Sequence, residues 1–330
     1  MAEFPRHDDG WYQQRLAPPT GRVRVVIDTD TANEIDDQFA LAWALLSPDL
    51  LDVLAVYAAP FSFAHRRAAL PDAPVDAAPF NPPGVGMERS YAEILTVFDK
   101  LGLPHGGRVL RGSAGYLPAP AQPLRSAAVD HLIATARAGS GAEPLYVVAL
   151  GCVTNIASAL LLAPDIVDRI VVVWTSGYPS HAPHVNDSFN LEQDPAASAL
   201  LLDSGVPHVY LPGYHVGAQL RLSLAEVERH VRGRGAMGDY LHDLFTDNPL
   251  WTVLGRPSGP AHSWVIWDLI NIAWLLNPAW VPSSLVRTPR LGADLRWQPD
   301  PGRHWMREAH GVQRDAIFND LFNKLALASG

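Results

Sequence analysis

The chain has 330 residues, 48% of them hydrophobic, and a formal charge of −9. A chain this long can bury most of the surface its unfolded form exposes. The lack of any Lys/Arg block excludes a phosphate-neutralising nucleic-acid surface. The single cysteine, Cys152, excludes an intramolecular disulfide, so a cytoplasmic location is expected. The opening MAEFPRHDDG is polar and lacks the apolar stretch of a signal peptide. The most apolar late segment, residues 264–276, carries Asp268 and Asn271 and is too short to span a membrane.

Residues 23–27 are an apolar, β-branched run after a Pro-rich lead-in and read as a strand buried on both faces. Residues 36–46 follow with helical spacing of Phe39, Leu41, Ala42, Leu45 and Leu46, and a second strand is predicted over 51–57. Residues 64–85 are rich in Ala and Pro with little periodicity, and read as a long surface loop. A helix is expected over 88–101, a short strand near Val109, a helix over 127–138 and a strand over 145–150. Thr154 reads as the cap of a helix that stops before Pro164. Further strands are predicted at 169–174 and 207–211, and further helices at 194–203, 224–231, 237–245, 265–276 and 315–328. Strands alternating with helices imply an α/β fold with a mostly parallel, doubly wound sheet. With no internal repeat and no composition break, residues 1–330 are expected to form one catalytic domain. Ligands of such sheets bind at the carboxyl ends of the strands.

The loop after the first predicted strand reads Asp28-Thr29-Asp30-Thr31-Ala32-Asn33-Glu34-Ile35-Asp36-Asp37-Gln38, five carboxylates within ten residues. Crowded carboxylates repel one another, and burial makes the repulsion worse. A cation is the usual remedy, and calcium accepts roughly six to eight oxygens in irregular geometry. Asp30 and Asp37 can supply ligands from the two ends of the loop, which leaves Asp36 to face a sugar hydroxyl. Acids at a helix start also meet the positive end of its dipole. That accounts for one or two acids in this loop, not for five.

Asp28-Thr29-Asp30 followed by Asp36-Asp37 resembles the amino-terminal signature of the nucleoside hydrolases, with a loop two residues longer that carries Asn33 and Glu34. The stretch from Ala149 to Ala157, with Leu162 to Ile170 after it, resembles the family's second strand-to-helix segment. Phe189-Asn190 followed by Asp194-Pro195-Ala196-Ala197 resembles the sugar-binding stretch, and Trp267-Asp268 resembles the late metal ligand. The resemblance implies hydrolysis of a nucleoside-like N-riboside with Ca2+ as cofactor, in a homodimer or homotetramer. It makes Asp30 both a metal ligand and the base that activates water. Asp37, the carbonyl of Leu150 and Asp268 complete the metal set, Asp28 supports Asp30, and Asp36 and Asn190 hold ribose hydroxyls. The reaction builds positive charge on the sugar, which carboxylates around the ring stabilise.

Three departures from the family pattern stand out. Ser188 occupies the place of a common Glu, Trp267 that of a common His, and Ala59-Pro60-Phe61-Ser62 replaces a loop containing Asn. The metal half of the pattern is therefore intact and the substrate half altered. Asn33 and Glu34 are expected to fill missing polar contacts, and Trp267 to stack on the base. His181, His184 and His215 are candidates for protonating the leaving group, with His184 favoured by its place near Asn186 and Asn190. Trp264, Trp267 and Trp274 also fall at helical spacing, which core packing explains for at least two of them. Two alternatives stand beside the hydrolase: a phosphatase of the haloacid dehalogenase type, which also opens with Asp-x-Asp, and a non-catalytic riboside-binding protein.

Overall fold

A computed structural model describes residues 3–329 apart from 140, 142 and 260. The chain opens with helix α1 (Asp9–Arg15), β1 (Val23–Thr29), α2 (Asp36–Leu45), β2 (Leu51–Ala58), α3 (Pro83–Lys100) and β3 (Val109–Arg111). It continues through α4 (Ala127–Ala138), β4 (Leu145–Ala149), α5 (Thr154–Leu162), β5 (Ile170–Ser176), α6 (Phe189–Glu192), α7 (Pro195–Asp203) and β6 (His208–Pro212). Then come β7 (Arg221–Ser223), α8 (Leu224–His230), α9 (Gly235–Thr246), α10 (Trp251–Leu254), β8 (Ser263–Val265) and α11 (Leu269–Leu276). The last elements are β9 (Ser283–Arg287), β10 (Arg290–Leu291), β11 (Trp297–Gln298), β12 (Trp305–Ala309) and α12 (Arg314–Ala328).

Eight strands form the central sheet in the order β3-β2-β1-β4-β5-β6-β12-β9. Neighbours are parallel except β9, which runs antiparallel to β12. Alternate residues of each inner strand enter opposite cores. Val25 and Ile27 of β1 pack with α2, α3, α9, α11 and α12. Val26 packs on the other side with α4, α5 and α7. This two-sided burial is why the inner strands read as unbroken apolar runs, and each fully buried Val or Ile contributes about 1.5–3 kcal/mol. The chain builds outward from β1 to β2 and β3, then returns to place β4 on the other side of β1. Asp28 stands opposite Ala149 in that pairing. The order therefore reverses between β1 and β4, and the crevice beyond their carboxyl ends is where such a sheet binds ligands.

Several boundaries differ from the sequence reading. Residues 64–85 hold short 3-10 turns at Ala64–Ala69 and Ala78–Phe80, and α3 begins at Pro83 rather than 88, proline being suited to a first helical turn. The phenylalanines around this segment, Phe61 and Phe63, pack with Phe189, Leu250 and Val253. The helix expected from 265 starts at Leu269, because Ser263–Val265 pairs with β7 instead. Val153, not Thr154, caps α5, and the Thr154 hydroxyl donates to Asp194 at 2.6 Å. β9 and β12 were not anticipated. Both mix charged and apolar residues, and their pairing spans some twenty residues of chain.

Candidate active site

The crevice is built on the last residues of β1. Asp28 is fully buried, and its Oδ1 accepts a 2.8 Å hydrogen bond from Asn155 Nδ2 at the start of α5. The Asn155 Oδ1 accepts in turn from the backbone N–H of Ser113, also at 2.8 Å. Burial pushes the Asp28 carboxyl up to about 7, against the lowering effect of Asn155. Two residues on, Asp30 is 1% exposed and its Oδ2 is buried with no hydrogen-bond partner among the described residues. Its carboxylate packs against the backbone of Gly151, just past β4, where a Cβ would come within 2.8 Å of Asp30 Cγ. Only glycine leaves room for the acid there.

Asp36 and Asp37 occupy the first turn of α2, and Asp268 caps α11, which packs beside it. One carboxylate oxygen from each of these three buried acids lies within 4.8 Å of the others. Thr29 Oγ1 donates to Asp37 Oδ1. Two helix N-termini favour negative charge here, yet they do not offset the crowding. Burial first, then the Asp37 charge, lifts the Asp30 carboxyl well above the usual range. Asp36 and Asp268 are raised in the same way, by burial and then by Glu34 and by Asp36 respectively. Burial takes Asp37 up to about 6, and burial with the Asp37 charge takes Glu34 up to about 7. A cluster of buried, hard oxygen donors with an unpartnered carboxylate oxygen beside it suits a divalent cation of the calcium or magnesium kind. The tight group contains Asp36, which the resemblance gave to the sugar. Asp30, which it gave to the metal, stands beside the group and raises Asp268 through its charge.

These acids line a cavity of about 210 Å³ together with Asn33, Glu34, Leu150, Asn190 and Trp267. Asn33 donates its backbone N–H to the Asp30 carbonyl at 2.7 Å, which folds the longer loop back on itself. Glu34 accepts from the Trp264 indole at 3.3 Å. Asn190 spends its amide hydrogens on the carbonyls of Leu150 (2.6 Å) and Thr175 (3.2 Å). Its Oδ1 is left as an acceptor, and the Leu150 carbonyl keeps a second lone pair. Ser188 Oγ pairs with Ser176 Oγ at 2.9 Å and accepts from the Gly177 N–H at 2.8 Å. Trp267 meets Tyr214 edge to face, ring centroids 6.1 Å apart.

His184 does not line the cavity. It is exposed and packs at a tilt on Tyr178 at 4.6 Å, and Tyr178 in turn packs on Tyr214 at 4.5 Å. His215 joins the same outer cluster, and His181 is exposed. The favoured histidine therefore stands two rings behind the lining, a placement that chain proximity to Asn190 does not reveal. Asp194, in the stretch that resembles the sugar-binding segment, is engaged within the protein. It caps α7 and accepts from Thr154 and from the Leu117 N–H at 2.9 Å. The sequence reading assigned no part to Arg66, which lines the cavity, or to Asn155, whose signal was present within the second strand-to-helix segment.

The model of the inosine-uridine preferring nucleoside hydrolases matches residues 25–315. The chain belongs to this family. As a nucleoside hydrolase it is a hydrolase of N-glycosyl compounds, which displaces the phosphatase reading of the Asp28–Asp30 pair. The pyrimidine-specific ribonucleoside hydrolase RihA of Salmonella paratyphi A is 27% identical over 268 residues, covering 77% of this chain and 79% of that protein. The purine-preferring ribonucleoside hydrolase of Gardnerella vaginalis shares the nucleoside hydrolase fold at a TM-score of 0.68 and 22% identity, over 93% of this chain and 99% of that one. The inosine-uridine preferring nucleoside hydrolase of Bacillus anthracis does so at 0.62 and 16%, over 92% and 99%. Among the described residues no helix is long and apolar enough to cross a membrane.

Proposed function

We propose that this nucleoside hydrolase is calcium-dependent and cleaves the N-glycosidic bond of a ribonucleoside, or a related N-riboside, to free base and ribose. The observation that carries the reading is the convergence of Asp36, Asp37 and Asp268 within 4.8 Å, on the same cavity wall as Asp30 and Asn190. Asp37 and Asp268, with the Leu150 carbonyl and Asp30, would hold the ion. Bound there, the ion supplies charge that acidifies a water molecule.

Asp30 takes the proton of the attacking water. The water oxygen bonds to the sugar's anomeric carbon as the carbon–nitrogen bond breaks, and the electron pair leaves with the base. Asp36 and the Asn190 Oδ1 accept from ribose hydroxyls and fix the ring, while the surrounding carboxylates favour its developing positive charge. Asn33 and Glu34 add polar contacts, and Asp28 supports Asp30 from β1. Trp267 and Tyr214 offer aromatic faces to the base. With His184 behind Tyr178 and Tyr214, the leaving nitrogen takes its proton from water at the cavity mouth. The chain acts as one catalytic domain of a cytoplasmic homodimer or homotetramer.

The test is free ribose release from a panel of purine and pyrimidine nucleosides, with and without calcium chelation, beside Asp30→Ala. Chelation-sensitive release that the substitution abolishes is expected. Calcium bound at one equivalent with no release from any nucleoside would favour a binding protein instead.

A further inference from the structure

Among the described residues the cavity lining holds one basic side chain, Arg66, from the 3-10 turn Ala64–Ala69. Its guanidinium lies 5.2 Å over the ring of Phe189, between Ser188 and Asn190 in the chain. Nε pairs with Glu192, and Nη2 donates to the Asp187 carbonyl at 2.6 Å. Glu192 also meets His65 Nε2 at 3.0 Å, so two potential cations share one carboxylate. A guanidinium has five N–H groups, and these two bonds leave three for a ligand. Beside it stands Ser188, where the family pattern often has a carboxylate. A glutamate at that position would add a second carboxylate beside Glu192, which already holds Arg66 Nε. A serine adds none.

We propose that Arg66 and Ser188 select a riboside that carries a phosphate on its sugar, so that the preferred substrate is a nucleoside monophosphate and the product a ribose phosphate. This rests on the N-riboside reading above. Arginine recognises phosphate with paired, charge-assisted hydrogen bonds. The guanidinium is pre-positioned by Glu192 and the Asp187 carbonyl, and Ser188 and Asn190 line the same cavity. The bond cleaved is still the N-glycosidic one, and the phosphate ester is untouched.

Two measurements test it. The first compares kcat/KM for adenosine 5′-monophosphate and adenosine, and for the uridine pair, in the wild type, Arg66→Gln and Arg66→Lys. The phosphorylated member is expected to be preferred by about tenfold or more, since hydrogen bonds to charged groups are worth about 1.5–3 kcal/mol. Arg66→Gln should collapse that ratio and Arg66→Lys keep part of it. The second is calorimetric titration with ribose 5-phosphate and with ribose, where tighter binding of the phosphate should depend on Arg66. Parity of the paired ligands, or a preference that Arg66→Gln leaves intact, overturns the proposal. Should no glycosidic bond be cleaved in any substrate, the hydrolase reading fails, and the titration still decides the role of Arg66.

Discussion

Asn155 at the start of α5 donates to Asp28 on β1 at 2.8 Å, across the point where the sheet order reverses. The bond ties the helix after β4 to the strand that delivers Asp30. It also supplies the hydrogen bond that opposes the upward pull of burial on Asp28.

Replacing Asn155 with Ala should therefore do two things. It leaves a buried carboxylate oxygen and the Ser113 N–H without partners, at about 1–3 kcal/mol. It also frees Asp28 to shift behind Asp30, and loss of such supporting groups typically costs about 10–100-fold in activity or metal affinity. Urea unfolding and steady-state kinetics on the same variant check both. Unchanged kcat/KM would mean that Asp28 does not depend on this bond.

Asp30→Asn keeps the volume of the side chain and removes the proposed base. Loss of a general base costs about 10²–10⁴-fold, and the fall should appear in kcat more than in KM. Gly151→Ala tests the same residue from the other side. Its methyl would come within 2.8 Å of Asp30 Cγ, so activity should fall although no carboxylate has been altered.

Calcium removal should destabilise the protein. An ion held as proposed would bind the folded acid cluster and not the unfolded chain, so ligand at about 100 times its Kd would add about 2.7 kcal/mol. The melting temperature should drop on chelation and return on adding calcium. Asp37→Asn and Asp268→Asn should weaken the calcium response, measured by titration followed in differential scanning fluorimetry.

The acid limb of stability should report buried histidines. Burial pushes His208 down to about 3 and His304 down to about 4. In the unfolded chain histidine titrates near about 6.5. The unfolded state therefore binds more protons below that pH, and stability present above it is lost as pH falls toward 3–4. His208→Leu removes one such group from between Trp174 and Tyr210. The difference in melting temperature between pH 7 and pH 4.5 should shrink in this variant. An equal drop in both proteins would assign the acid limb elsewhere.

Residue order alone dictates the alternation of strand and helix, because a sheet covered on both faces needs apolar runs such as residues 23–27 and 145–150. It also marked the acid loop, since five carboxylates after a buried strand have no cheap structural explanation. The contacts among them were decided only by the tertiary structure. Asp268 reaches Asp36 and Asp37 because α11 packs beside α2, more than two hundred residues away in the chain. His184 lies near Asn190 in sequence yet behind Tyr178 in space, because the loop after β5 turns it outward. Arg66 comes from a stretch with no periodicity, and enters the cavity because Phe61 and Phe63 anchor that stretch against Phe189. Local pattern reports which face of an element is buried. It carries no information about which distant side chains share one cavity, and here that grouping sets the chemistry.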